Sequence, residues 1–286
     1  MKTPARWPHY LPQALRQALI DGERRLTPCG DGHMVWHVWG EAAQPTLVLL
    51  HGGSGSWLHW VRNIAPLRDA GYRLLVPDLP GFGDSQAIGA DADSLPPPLH
   101  EGLHLLCPHD EVSLVGFSFG GLTSALWLKA FPGDARRLVL VGAPGLGFNT
   151  PDRIPLKGWR HLADPAAQDQ AHRHNLLALM LHDAGQLDAL ALNLHRDNVN
   201  RDRMPRRRLA NSDTLARTLP DLQQPLAALY GAHDALYRER LPQVQACLQR
   251  LAPAGCEWRE VPQAGHWVQY EAPEAFHAAL RSVLPD

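Results

Sequence analysis

The run Val112-Ser113-Leu114-Val115-Gly116-Phe117-Ser118-Phe119-Gly120-Gly121 decides how the chain is read. An apolar stretch ends in Gly-x-Ser-x-Gly, and a helical pattern reaching position 130 follows at once. A strand–turn–helix junction of this kind holds its serine on a sharp, strained turn with the hydroxyl exposed above the sheet. A Cβ at Gly116 or Gly120 would crowd that turn. The helix beyond it aims its free amides and positive dipole end at negative charge developing beside the serine. Ser118 is therefore the candidate nucleophile.

Outward from this junction, short apolar runs alternate with longer helical patterns, which predicts an α/β fold: a mainly parallel central sheet flanked by helices. Strands are expected at 33–39, 46–50, 73–76, 112–115, 137–141, 226–230 and 258–261, and helices at 118–130, 241–251 and 273–283. The alternation stops after Gly147 and resumes at Leu226. Residues 148–220 therefore read as a helical lid inserted into a core made of residues 1–147 and 221–286.

A hydroxyl becomes a useful nucleophile only when a base takes its proton. In chains with this junction the acid and then the histidine follow the serine in order. Beyond the insertion, His233 adjoins the acid candidate and His277 lies inside the last helical pattern. That leaves His266, in Gln263-Ala264-Gly265-His266-Trp267 just past the final strand, as the base. Asp234, in Tyr230-Gly231-Ala232-His233-Asp234, falls just beyond a strand end, where its carboxylate can accept the imidazole N–H and fix the tautomer. An oxyanion hole needs two amides, one after the nucleophile and one from an early loop. Phe119 supplies the first. Gly53 supplies the second, from Leu50-His51-Gly52-Gly53-Ser54-Gly55.

These motifs, with the loop Pro77-Asp78-Leu79-Pro80-Gly81-Phe82-Gly83-Asp84-Ser85, resemble the α/β-hydrolase superfamily from about Thr27 to the end of the chain. Serine at 118 separates the chain from the branches that use aspartate there. Ser118-Phe119-Gly120-Gly121 and Gly265-His266-Trp267-Val268-Gln269-Tyr270-Glu271 look most like the meta-cleavage product hydrolases, which cut a carbon–carbon bond in vinylogous diketo acids. That resemblance implies a lid arginine on the substrate carboxylate, and Arg196 stands at a comparable place. It also implies Asn before the nucleophile, where this chain has Phe117. A carboxylesterase or lactonase is the alternative reading, and a non-catalytic ligand-binding protein on the same fold is a third. Phe117, Trp57 and Trp267 are the further candidates for the substrate pocket.

Other signals point elsewhere. His100-Glu101-Gly102-Leu103-His104 has the spacing of a zinc-protease helix. No third ligand follows at the motif's extended spacing, so no metal role is assigned and no cofactor is expected. Residues 195–208 hold six arginines and two aspartates, a pattern typical of a solvated face. With a net charge of -2 over 286 residues, nothing favours nucleic acid or a membrane surface as partner. A small-molecule substrate is expected, and homo-oligomerisation is left open. The N-terminal stretch lacks the features of a secretory signal, and the four cysteines form no Cys-x-x-Cys pair. A cytoplasmic protein with reduced thiols is the expectation.

Overall fold

A computed structural model of the chain describes residues 2–4, 7–107, 111–148 and 154–285. Among the described residues, nine strands form one sheet: β1 (Lys2–Pro4), β2 (Glu23–Cys29), β3 (Gly32–Trp39), β4 (Thr46–Leu50), β5 (Arg73–Pro77), β6 (Val112–Phe117), β7 (Arg137–Val141), β8 (Leu226–Gly231) and β9 (Cys256–Val261). Their order is β1-β2-β3-β5-β4-β6-β7-β8-β9. The pairs β1–β2, β2–β3 and β3–β5 are antiparallel, and every other pair is parallel.

The apolar runs that make these strands are buried on both faces, as a helix-covered parallel sheet requires. Alternate residues divide between two apolar layers. Val48, Leu50, Leu114, Leu138, Leu140 and Ala228 face one layer, with the helices Phe119–Ala130 and Leu241–Leu251. Leu47, Leu49, Val115, Val139, Val141 and Leu229 face the other, with the helix Pro273–Arg281. All seven expected strands are present within two residues of their expected ends. β1 and β2 were not expected. Glu23, Arg24, Arg25 and Pro28 give β2 no apolar alternation, and it is only half-buried near the sheet edge.

Of the expected insertion, residues 149–153 lie outside the described residues. The rest holds helices Pro165–Asn175 and Ala189–Asn200, a wide turn Leu176–Met180 between them, and the short helix Thr214–Thr218. No strand occurs among the described residues between β7 and β8. Leu215 and Leu219 already belong to the core layer under the helix Phe119–Ala130. No helix of the described residues is long and apolar enough to cross a membrane.

Candidate active site

β6 ends at Phe117 and the next helix begins at Phe119, so Ser118 alone makes the turn. Its φ of 50° and ψ of -118° lie in a region that side chains other than glycine rarely occupy. Close packing enforces this. A Cβ on Gly116 would sit 2.5 Å from the Gly120 carbonyl oxygen, and one on Gly120 would sit 2.5 Å from that of Leu50. The helix is thus pressed against β4 and β6, and the strain at Ser118 is fixed by its surroundings.

Asp234 and His266 follow the C-terminal ends of β8 and β9 and meet Ser118 there. The His266 Nε2 lies 2.9 Å from Ser118 Oγ, and its Nδ1 lies 2.9 Å from Asp234 Oδ2. Asp234 is fully buried, and its other oxygen accepts the Leu236 N–H at 2.9 Å. A carboxylate only accepts, so Nδ1 carries the proton and Nε2 is free to accept from the serine hydroxyl. The three residues expected to act together are brought together.

The loop carrying Gly53, expected to supply an oxyanion donor, is set by two histidines to which no role was given from sequence. His51 Nδ1 donates to the Gly52 carbonyl at 2.8 Å, and its Nε2 accepts the Leu79 N–H at 2.9 Å. His59 Nδ1 accepts the Gly52 N–H at 3.2 Å. Burial lowers the His51 pKa to about 4 and holds that of His59 well below the usual value, so both are neutral and keep these roles. Asp78 accepts the Trp57 and Asp84 amides, each at 2.9 Å, and burial raises its pKa to about 6. The amides of Gly53 and Phe119 have no protein acceptor among the described residues, and both residues line the cavity above Ser118.

That cavity has a volume of about 300 Å³. Gly53, His59, Phe117, Phe119 and His266 form its floor, and Leu156, Trp159, Leu179, Met180, His195 and Val199 close it from the inserted segment. Phe117 thus lies where expected. Trp57 and Trp267 do not line the cavity. Trp57 is buried against His37, Trp39 and Trp7, while Trp267 stacks on Tyr270 and donates its indole N–H to the His59 carbonyl at 3.0 Å. Trp267 braces the wall from behind through His59, and both tryptophans are drawn into the apolar layer under this loop.

Arg196 does not line the cavity either. It pairs with Asp169 at 2.8 Å and with Asn193 Oδ1 at 2.8 Å, at a half-exposed position. The cation that does line the cavity is Arg207, whose Nη1 is 2.5 Å from Asp202 and whose Nη2 is 3.1 Å from Ser54 Oγ. Its side chain passes over Gly53, where a Cβ would be 3.3 Å from Arg207 Cδ. Nothing in the arginine-rich run distinguished it. The run is not simply solvated: Arg201 pairs with Asp84, and Arg203 donates to the carbonyls of Gly83 and Ser85. His195 was also missed. It faces the cavity with Nε2 unpartnered, and burial lowers its pKa to about 4.

A parallel sheet flanked by helices, with a strained serine after its central strand and a histidine and a buried aspartate after later strands, defines a class of protein. Residues 45–273 match the family model of the alpha/beta hydrolase fold, and the chain belongs to that family. It is similar to a 2-hydroxy-6-oxononadienedioate/2-hydroxy-6-oxononatrienedioate hydrolase of Klebsiella pneumoniae, 26% identical and covering 91% of this chain and 90% of the relative. A 2-hydroxy-6-oxo-6-phenylhexa-2,4-dienoate hydrolase of Burkholderia cepacia is 25% identical, covering 81% and 84%. Among solved structures, an esterase from a Rhodococcus species superposes with a TM-score of 0.73 at 25% identity, covering 91% of this chain and 97% of that one. Family and relatives together make the chain a hydrolase.

Proposed function

We propose that the chain is a serine hydrolase acting on a small keto acid of the kind its curated relatives are named for, with Ser118, His266 and Asp234 as the catalytic triad. The observation that carries this reading is the continuous hydrogen-bonded chain from Ser118 through His266 to Asp234, opening into the cavity. Ser118 Oγ attacks the substrate carbonyl while His266 Nε2 takes its proton. The amides of Gly53 and Phe119 hold the oxyanion, in an apolar site where such bonds are strong. His266 then returns the proton to the leaving group, and water activated by the same base releases the acid. Residues 148–220 act as a lid that sizes the cavity and excludes bulk water.

Arg207 gives the site a hydrogen-bond donor for a substrate carboxylate. Its pairing with Asp202 and Ser54 leaves guanidinium N–H groups for a bidentate anion, at the rim of the loop carrying Gly53. The alternative, hydrolysis of a neutral ester or lactone, is favoured by the apolar Phe117 beside the serine and by the likeness to the Rhodococcus esterase. Side-by-side assays of a vinylogous diketo acid and p-nitrophenyl esters, with Ser118→Ala as the blank, decide between them. Turnover of the keto acid supports the proposal; ester turnover alone replaces it with the esterase reading.

A further inference from the structure

We propose that His100, His104 and Asp134 form a binding site for a divalent transition-metal ion of the zinc class, separate from the catalytic cavity. His100 and His104 are one turn apart on the helix Pro96–Leu106, so both rings lie on one face. Asp134 comes from the turn Pro132–Asp134 that follows the helix Phe119–Ala130. His100 Nδ1 is 2.7 Å from one Asp134 oxygen, and His104 Nε2 is 3.0 Å from the other. The three donor atoms lie within 4.8 Å of one another.

Two of the three ligands are oriented in advance. The Trp127 indole N–H donates to Asp134 Oδ2 at 2.6 Å, and the Phe131 ring stacks on His100 at 3.9 Å with 7° between the planes. Such outer contacts hold ligands in position and raise affinity. The carboxylate is buried, whereas the His100 and His104 side chains are 36% and 50% exposed. An ion can therefore enter from solvent and keep a water ligand. Two imidazoles and a carboxylate suit zinc, nickel or copper rather than magnesium or calcium. At metal–ligand distances near 2.1 Å, tetrahedral donors stand about 3.4 Å apart. The His–Asp contacts of 2.7 and 3.0 Å must open toward that spacing, while all three donor atoms already fall within 4.8 Å of one another, an adjustment that the exposed His104 allows. On binding, each ring presents its lone pair at the nitrogen facing Asp134 and carries its proton on the other.

None of the three residues lines the cavity, so the ion would clip the helix Pro96–Leu106 to the far end of the nucleophile helix and take no part in the chemistry. The test uses the whole, tag-free chain stripped with chelator and titrated with zinc chloride by calorimetry at neutral pH. One zinc per chain is expected, and the same for His33→Ala, which removes an exposed histidine elsewhere. Zinc at about 100-fold over its Kd should raise Tm by about 5 °C. His104→Ala and Asp134→Asn should each weaken binding at least about tenfold and lose that shift. His104 is half-exposed, so its removal leaves the fold intact and keeps the comparison valid. Absence of saturable binding in the wild type, or equal affinity in His104→Ala, overturns the site and leaves only a hydrogen-bonded staple.

Discussion

The two ring nitrogens of His266 have different partners, and in the proposed mechanism the difference sets the direction of proton transfer. Asp234 can only accept, so it selects the tautomer whose Nε2 lone pair faces Ser118. Asp234→Asn would present an N–H to the ring and favour the wrong tautomer. We expect a loss of about 10³–10⁴ in kcat with near-UV circular dichroism unchanged; a loss under about tenfold would assign the orienting role elsewhere. Arg207→Ala would leave a substrate carboxylate buried and unpaired, at a cost on the order of 2–5 kcal/mol. That corresponds to roughly 30- to several-thousand-fold in kcat/KM on a keto acid, with little effect on a neutral ester. Arg196→Ala should leave both within about twofold. Equal responses to the two arginine variants would contradict the geometry. The hydrogen-bonded arrangement of Ser118, His266 and Asp234 was legible in sequence because chain order and strand ends reduce many histidines to one. Arg207 was not, because six arginines in one run look alike until a fold shows which of them crosses Gly53.

At the scale of elements, the junction between β6 and its helix is the most constrained part of the chain. Gly120→Ala would place a Cβ within 2.6 Å of the Leu50 and His51 carbonyl oxygens, and backbone on both sides prevents relief. We expect a stability loss of about 1–3 kcal/mol, read as a lower Tm, and a larger proportional loss of kcat as the Phe119 amide moves. An unchanged Tm would mean that the helix can slide from β4. The central strands were legible because burial on both faces writes them as unbroken apolar runs. β2 was not, because its partners supply the hydrogen bonds while its own side chains stay half in water. The third ligand of the His100–His104 pair was hidden for a related reason: Asp134 arrives from another element.

Across the whole molecule, buried neutral histidines set the response to acid. Burial lowers His37 to about 3 and His51 and His195 to about 4, and holds His59 well below 6.5. Each takes up a proton on unfolding once the pH is below 6.5. The stability they contribute is whole above that value and is lost as pH falls toward their folded values. Asp78 opposes them: with a folded pKa of about 6 against 3.8, it binds its proton in the native state first. Burial lowers His172 and His277 as well, so the histidines outnumber Asp78 and unfolding takes up protons on balance below pH 6.5, which makes stability fall as the pH falls. Tm should therefore fall steeply between pH 6.5 and about 4.5, and a flat profile would mean that these rings are hydrated. Chelation should lower Tm if metal is bound yet leave kcat unchanged. Among the described residues, the one cluster able to hold an ion lies outside the cavity.

The most direct test of the account is covalent labelling of the nucleophile. A fluorophosphonate should add once per chain, and peptide mapping by mass spectrometry should place the adduct on Ser118. Ser118→Ala should take up no label and lose turnover of every substrate the wild type accepts, while its circular dichroism stays native. An adduct on another residue, or a Ser118→Ala variant that still turns over, would contradict it.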